Sequence, residues 1–144
     1  MNLEILSEIP STISHKTPIL FVHGAWHGAW CWKENFLPHF AKNGYQAYAL
    51  SLRGHGNSPT DKKLNRLRIA DYVADIEKEV NKMSQKPILI GHSMGGFVVQ
   101  KYLETHPVPA AILMASLPPQ GILRTSLAIF RRHPMAFLTA TISF

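Results

Sequence analysis

Four short runs dominate the first 115 residues: Pro18-Ile19-Leu20-Phe21-Val22, residues 45–52, Pro87-Ile88-Leu89-Ile90, and Ala110-Ala111-Ile112-Leu113-Met114-Ala115. Three of them contain no polar side chain. A strand with one face in water alternates apolar and polar residues, whereas a strand covered on both faces does not. The segments between the runs have helical character. Ile69, Tyr72, Val73, Ile76, Val80 and Met83 fall at helical spacing, with Asp75, Lys78, Glu79 and Lys82 among the intervening positions. A helix is also expected within residues 32–42, stopped by Asn43-Gly44. Another is expected over residues 95–104, with Val98, Val99, Tyr102 and Leu103 as its buried positions. Strands and helices in alternation imply an α/β fold with a doubly wound parallel sheet.

The chemistry of this chain concentrates at Gly91-His92-Ser93-Met94-Gly95-Gly96, directly after the third run. A serine hydroxyl is a weak nucleophile unless it is presented bare, beside a base and beside donors for the developing oxyanion. A sharp strand-to-helix turn presents it but strains its backbone, so Gly91 and Gly95 must be small. The helix that starts after Ser93 turns its positive end and the Met94 N–H toward a reacting carbonyl oxygen. Gly-x-Ser-x-Gly alone arises by chance in about 5% of chains this long. The strand before it and the helix behind it give the pattern its weight. His92 is expected to point away from the serine and to act structurally.

Two further segments join this motif. The first run continues into His23-Gly24-Ala25-Trp26-His27-Gly28-Ala29-Trp30-Cys31-Trp32, and the second closes on Arg53-Gly54-His55-Gly56-Asn57-Ser58. Together the three resemble the α/β-hydrolase superfamily, most closely its small esterase and lysophospholipase-like branch. Plant methyl esterases and hydroxynitrile lyases share a related version of the aromatic run. The resemblance implies that Ser93 is the catalytic nucleophile and that the Ala25 N–H joins Met94 in the oxyanion hole. It also implies four parallel strands in the order 45–52, 19–22, 87–90, 110–115. Residues 1–119 would then be the N-terminal part of the core, and residues 120–144 would begin a helical cap. His23, Gly24, Trp26, Gly91, His92 and Gly95 are read as supporting or pocket residues. His55 is expected to support its own loop, and Trp26, Trp30, Trp32 and Phe36 to form core and pocket wall.

The same resemblance exposes a gap. The family places its acid and then its His after Ser93, behind later strands. Glu104 is the only carboxylate after Ser93, and the downstream histidines are His106 and His133. None of these follows a terminal strand, so no acid or base is assigned. His23 is on the correct rim to serve as a surrogate base, although it more readily holds the oxyanion loop. The expected substrate is a small-molecule ester or acyl lipid. The fold is expected to stop after the fourth parallel strand and the start of the cap, leaving a truncated sheet with an exposed edge that favours self-association. The alternatives are a non-catalytic fragment or binding remnant, and a lyase of the hydroxynitrile type. Epoxide hydrolases and dehalogenases of this fold use Asp where this chain has Ser93.

Composition removes other classes. Fifteen Lys and Arg against nine Asp and Glu give a net charge of +6, but the basic residues occur singly or in pairs and no nucleic-acid module is present. The excess arises largely because residues 105–144 contain no Asp or Glu. His23 and His27 are four apart, yet Gly24 stands where a zinc protease needs Glu, so no metal is assigned. Gly54-x-Gly56 lacks the third glycine of a dinucleotide loop, and no cofactor is expected. A single cysteine, Cys31, allows no intrachain disulfide. The N-terminus lacks a basic, apolar leader, and the longest apolar run, residues 110–115, is far too short to span a bilayer. These features make a cytoplasmic protein without a transmembrane segment the expectation.

Overall fold

The structure is a computed structural model that describes residues 2–121 and 123–142. Its described strands are β1 (Ile5–Glu8), β2 (His15–Val22), β3 (Tyr45–Leu50), β4 (Ile88–His92) and β5 (Ala111–Met114). They form one sheet in the order β1-β3-β2-β4-β5. The pairs β3–β2, β2–β4 and β4–β5 are all parallel, as the sequence implies, with Leu20 opposite both Tyr48 and Leu89, and Ile90 opposite Ile112. The connections run through α1 (Phe36–Lys42), α2 (Ile69–Val80) and α3 (Met94–Leu103). The antiparallel β1 was not expected. It pairs Ile5 with Leu50 and Glu8 with Ala47, and so covers the outer backbone edge of β3.

The two-residue period of the strands divides the core in two. Leu20, Val22, Leu50, Leu52 and Leu89 pack against Tyr72, Ile76 and Val80 of α2 and Val98, Val99 and Tyr102 of α3. Ile19, Phe21, Ala47, Ala49 and Ile90 face the other way, toward Leu37 of α1 and the 3-10 turn Ala29–Trp32. Both faces of the central strands are therefore dry, which explains their unbroken apolar runs. β5 differs. Ile112 is 49% exposed and Leu113 43%, because β5 is the open edge among the described strands.

The basic stretch after Pro118-Pro119 forms α4 (Leu123–Arg132) and α5 (Pro134–Ile142). Pro134 lacks an N–H to donate, so it ends one helix and serves as the first residue of the next. The two helices meet through Phe130 and Phe137, with ring centroids 5.7 Å apart. Ile122 and the terminal Ser143-Phe144, part of the expected cap segment, lie outside the described residues.

Candidate active site

Ser93 occupies the single-residue junction between β4 and α3, with φ 52° and ψ −117°. Only Ala115 shares a positive φ among the described residues other than glycine. An L-residue held there is strained, and the surroundings must enforce the conformation. Ser93 N–H donates to the Met114 carbonyl at 3.0 Å, and Ser93 C=O accepts from Leu117 N–H at 3.3 Å. The neighbours complete the constraint. A Cβ on Gly91 would come within 2.7 Å of the Gly95 carbonyl oxygen, and one on Gly95 would overlap the carbonyls of Val22 and His23. The first turn of α3 thus lies directly on the end of β2, which only glycine permits.

That contact brings the His23–Ala25 loop to the serine. A Cβ on Gly24 would lie 3.3 Å from Ser93 Cβ and 3.2 Å from His92 Nδ1. The Gly24 carbonyl is held by His23 Nδ1 at 2.7 Å and by His27 N–H at 3.2 Å. Because the peptide is trans, the Ala25 N–H is fixed on the opposite side from that carbonyl. The following carbonyl, of Ala25, faces His55 Nε2 at 2.7 Å, so His55 supports this loop as well as its own. The Ala25 N–H and the leading N–H of α3, that of Met94, have no acceptor among the described residues.

His23 is fully buried, and its Nε2 accepts the Leu52 N–H at 3.0 Å. The proton must therefore sit on Nδ1, where it is donated to Gly24. Burial foremost, with the neighbouring His55 and His27, pushes its pKa down to about 4, against the opposing effect of the bond to Gly24. With both ring nitrogens engaged, His23 cannot take a proton from Ser93, which removes the surrogate-base alternative. His92 is half-buried and meets the His27 ring edge to face at 6.2 Å.

The aromatic group divides. Trp32 and Phe36 pack on Phe21 in the core, but Trp26 is 75% exposed and Trp30 55%. Trp26 lies in the loop after β2 and Trp30 in the 3-10 turn Ala29–Trp32, both with their side chains largely in solvent, so the expected wall forms only in part. Sequence reasoning also missed a buried ion pair. Asp75, 1% exposed, takes the Arg53 guanidinium at 2.6 Å and the Arg53 backbone N–H at 2.9 Å. This bond with Asp75 raises the Arg53 pKa. A usable signal existed: Asp75 lies between Tyr72 and Ile76 on the apolar stripe of α2.

No base reaches the serine hydroxyl, which has no partner among the described residues. Glu104 pairs with Lys101, and His106 stacks on Tyr102 and faces Glu77 at 3.4 Å. Both lie beyond the far end of α3, about 15 Å along the helix from Ser93. Ser116, just past β5, accepts from Gln100 Nε2 at 2.6 Å. His133 is exposed at the α4–α5 junction.

Comparison with known proteins agrees with this architecture. The chain is 32% identical over 116 residues to salicylic acid-binding protein 2 of Nicotiana tabacum, a match covering 76% of this chain and 43% of that one. It is 33% identical over 106 residues to methyl jasmonate esterase 1 of Vitis vinifera, covering 69% and 39%. The chain thus spans about two fifths of the length of these curated relatives. Among solved structures, monoacylglycerol lipase of Paleococcus ferrophilus superposes with a TM-score of 0.66 at 22% identity, over 93% of this chain and 53% of that one. A variant of tomato methylketone synthase I gives 0.61 at 30% identity, over 72% and 41%. Residues 19–143, which run from within β2 through α5 and include the Ser93 turn, match the profile described as the alpha/beta hydrolase family, and to that family the chain belongs.

Proposed function

We propose that this chain carries the nucleophile and oxyanion donors of a carboxylic-ester hydrolase acting on small esters, methyl esters among them. One observation carries the reading: strained Ser93 lies against the Gly24 backbone, next to two N–H groups with no acceptor among the described residues. Ser93 Oγ attacks the ester carbonyl, and the Met94 and Ala25 N–H groups take the negative charge that develops on its oxygen. His23 and His55 hold the Ala25 peptide. The names of relatives, with two esterases or lipases among those compared, support the substrate class. Residues 1–119 form the core part of this proposal and residues 120–144 the start of a cap, in a cytoplasmic setting. Acid and base come from outside these 144 residues.

The test is ester turnover by wild type and Ser93→Ala, with p-nitrophenyl acetate and small methyl esters. In a comparable triad enzyme, loss of the base costs about 10⁶ in kcat and leaves ~10³–10⁴ over water. The isolated chain should therefore turn over very slowly, with that residue lost in Ser93→Ala. A longer chain supplying a carboxylate and a His behind further strands should restore the rate. Turnover insensitive to Ser93→Ala would sink the proposal. Cleavage of a cyanohydrin without ester turnover would favour a lyase.

A further inference from the structure

We propose that Glu4 is a positioning residue for the oxyanion loop, its carboxylate locking the 51–58 loop and, through it, the peptides of Ala25 and Ala29. This rests on the acyl-transfer reading of Ser93. Glu4 precedes β1 and is joined to the 51–58 loop on all sides. Its N–H donates to Ser58 Oγ at 2.8 Å, and its carbonyl accepts Ser51 N–H at 3.0 Å. Its Oε2 accepts the Ser51 hydroxyl at 2.5 Å and the Asn57 N–H at 3.0 Å, while Oε1 accepts from the Asn57 side-chain amide.

Proton counting gives this arrangement a direction. A hydroxyl has one proton, and the buried Ser51 gives its proton to Glu4. Its oxygen is left to accept, and it takes the Ala29 N–H at 2.7 Å. Two glycines make room for the junction. A Cβ on Gly56, whose φ is 53°, would overlap Glu4 Oε2 and lie 2.5 Å from Ser51 Oγ. A Cβ on Gly28 would lie 3.1 Å from Ser51 Oγ and 3.0 Å from Gly56 Cα, so the two loops touch backbone to backbone around one hydroxyl. The same 51–58 loop supplies the Leu52 N–H to His23 and the His55 ring to the Ala25 carbonyl. Three ties from one loop therefore land on residues 23–29, and Glu4 anchors that loop. Burial alone would raise the Glu4 pKa, but the bonds from Ser51 and Asn57 outweigh it and hold the carboxyl low, charged at neutral pH.

The test compares the 144-residue chain with Glu4→Ala and Glu4→Gln by amide hydrogen exchange and ¹⁵N–¹H spectra. Glu4→Ala should speed Ala29 exchange at least tenfold relative to Val98 in the core of α3, and should shift the Ala25 amide while leaving Met94 in place. Glu4→Gln should restore most of both, because its carbonyl oxygen can accept from Ser51 and Asn57 N–H while the Asn57 amide turns. Slow phosphonylation of Ser93 by a fluorophosphonate should fall about tenfold in Glu4→Ala. An unmoved Ala25 amide overturns the proposal, as does parallel acceleration of Ala29 and Val98, which would mean general loosening. A moved amide with unchanged phosphonylation overturns it too. Wild-type labelling that survives Ser93→Ala contradicts the acyl-transfer reading instead, and the amide shifts then decide whether Glu4 positions the loop, as they do where labelling is too slow to read.

Discussion

The imidazole of His23 and the backbone of Leu52 are joined by a 3.0 Å hydrogen bond in which the N–H of Leu52 donates to Nε2. The bond fixes the tautomer, because an acceptor nitrogen leaves the proton on Nδ1, facing the Gly24 carbonyl at 2.7 Å. Protonation of the ring would place a donor against a donor inside the core. A histidine one residue from the oxyanion loop is therefore a neutral brace.

His23 should remain neutral well below the usual histidine range, with its folded pKa lowered from 6.5 to about 4. The unfolded chain then binds the proton first. Above pH 6.5 the group adds no pH dependence. Between pH 6.5 and 4 stability falls as pH falls, by about 3 kcal/mol in all. Denaturant unfolding across this range, with His23→Gln as control, should show the slope in wild type and a shallower one in the variant. Equal slopes would place the titrating group elsewhere.

Replacing Ser93 by glycine should stabilise the fold while removing the nucleophile. The backbone strain at φ 52° is worth about 1–3 kcal/mol, partly offset by the entropy that glycine loses on folding. A net gain of about 1 kcal/mol in urea unfolding is expected. Gly95→Ala should do the opposite and cost at least ~2 kcal/mol, since its methyl meets the Val22 and His23 carbonyls. A neutral Gly95→Ala would show that α3 does not rest on β2 as described.

Asp75→Ala leaves the Arg53 guanidinium without its main partner at a site where the side chain is 15% exposed. Breaking such a pair costs about 3–5 kcal/mol. The loss should exceed that from Lys101→Ala, whose partner Glu104 is largely in water. Thermal midpoints of the two variants give the comparison, and similar values would deny the buried pair its structural weight.

The open edge at β5 should make the chain associate as its concentration rises. Ile112, half in water, is the residue to alter. Ile112→Lys places a charge on the edge strand and should lower light scattering at a given concentration without changing the unfolding free energy by more than about 1 kcal/mol. Unchanged scattering would remove the edge as the cause.

The Ser93 turn was legible because everything that makes it is contiguous: an apolar strand, two glycines and a helix follow one another within 20 residues. The central strands were legible for the same reason, since burial on both faces writes itself into the run. Glu4 was not. Its partners lie 47 and 54 residues away, and nothing local distinguishes its carboxylate from a solvated one. β1 escaped notice because four residues, two of them polar, have no pattern of their own and become a strand only against the free edge of β3. Trp26 misled because aromatic content signals burial on average, while its place in a loop is set by the backbone path from Gly24. Asp75 occupied an apolar stripe, and the stripe concealed its partner.

Two of the backbone bonds of Ser93, those to Met114 and Leu117, impose an order of assembly. Synthesis reaches the serine 21 residues before Met114 (114 − 93 = 21), about 1–4 s earlier at usual translation rates. During that interval nothing from β5 can hold the serine in its strained geometry, so the nascent chain carries an ordinary hydroxyl. The same dependence persists after folding. Whenever β5 detaches, Ser93 is free to relax, and the nucleophile is poised only while that strand stays docked.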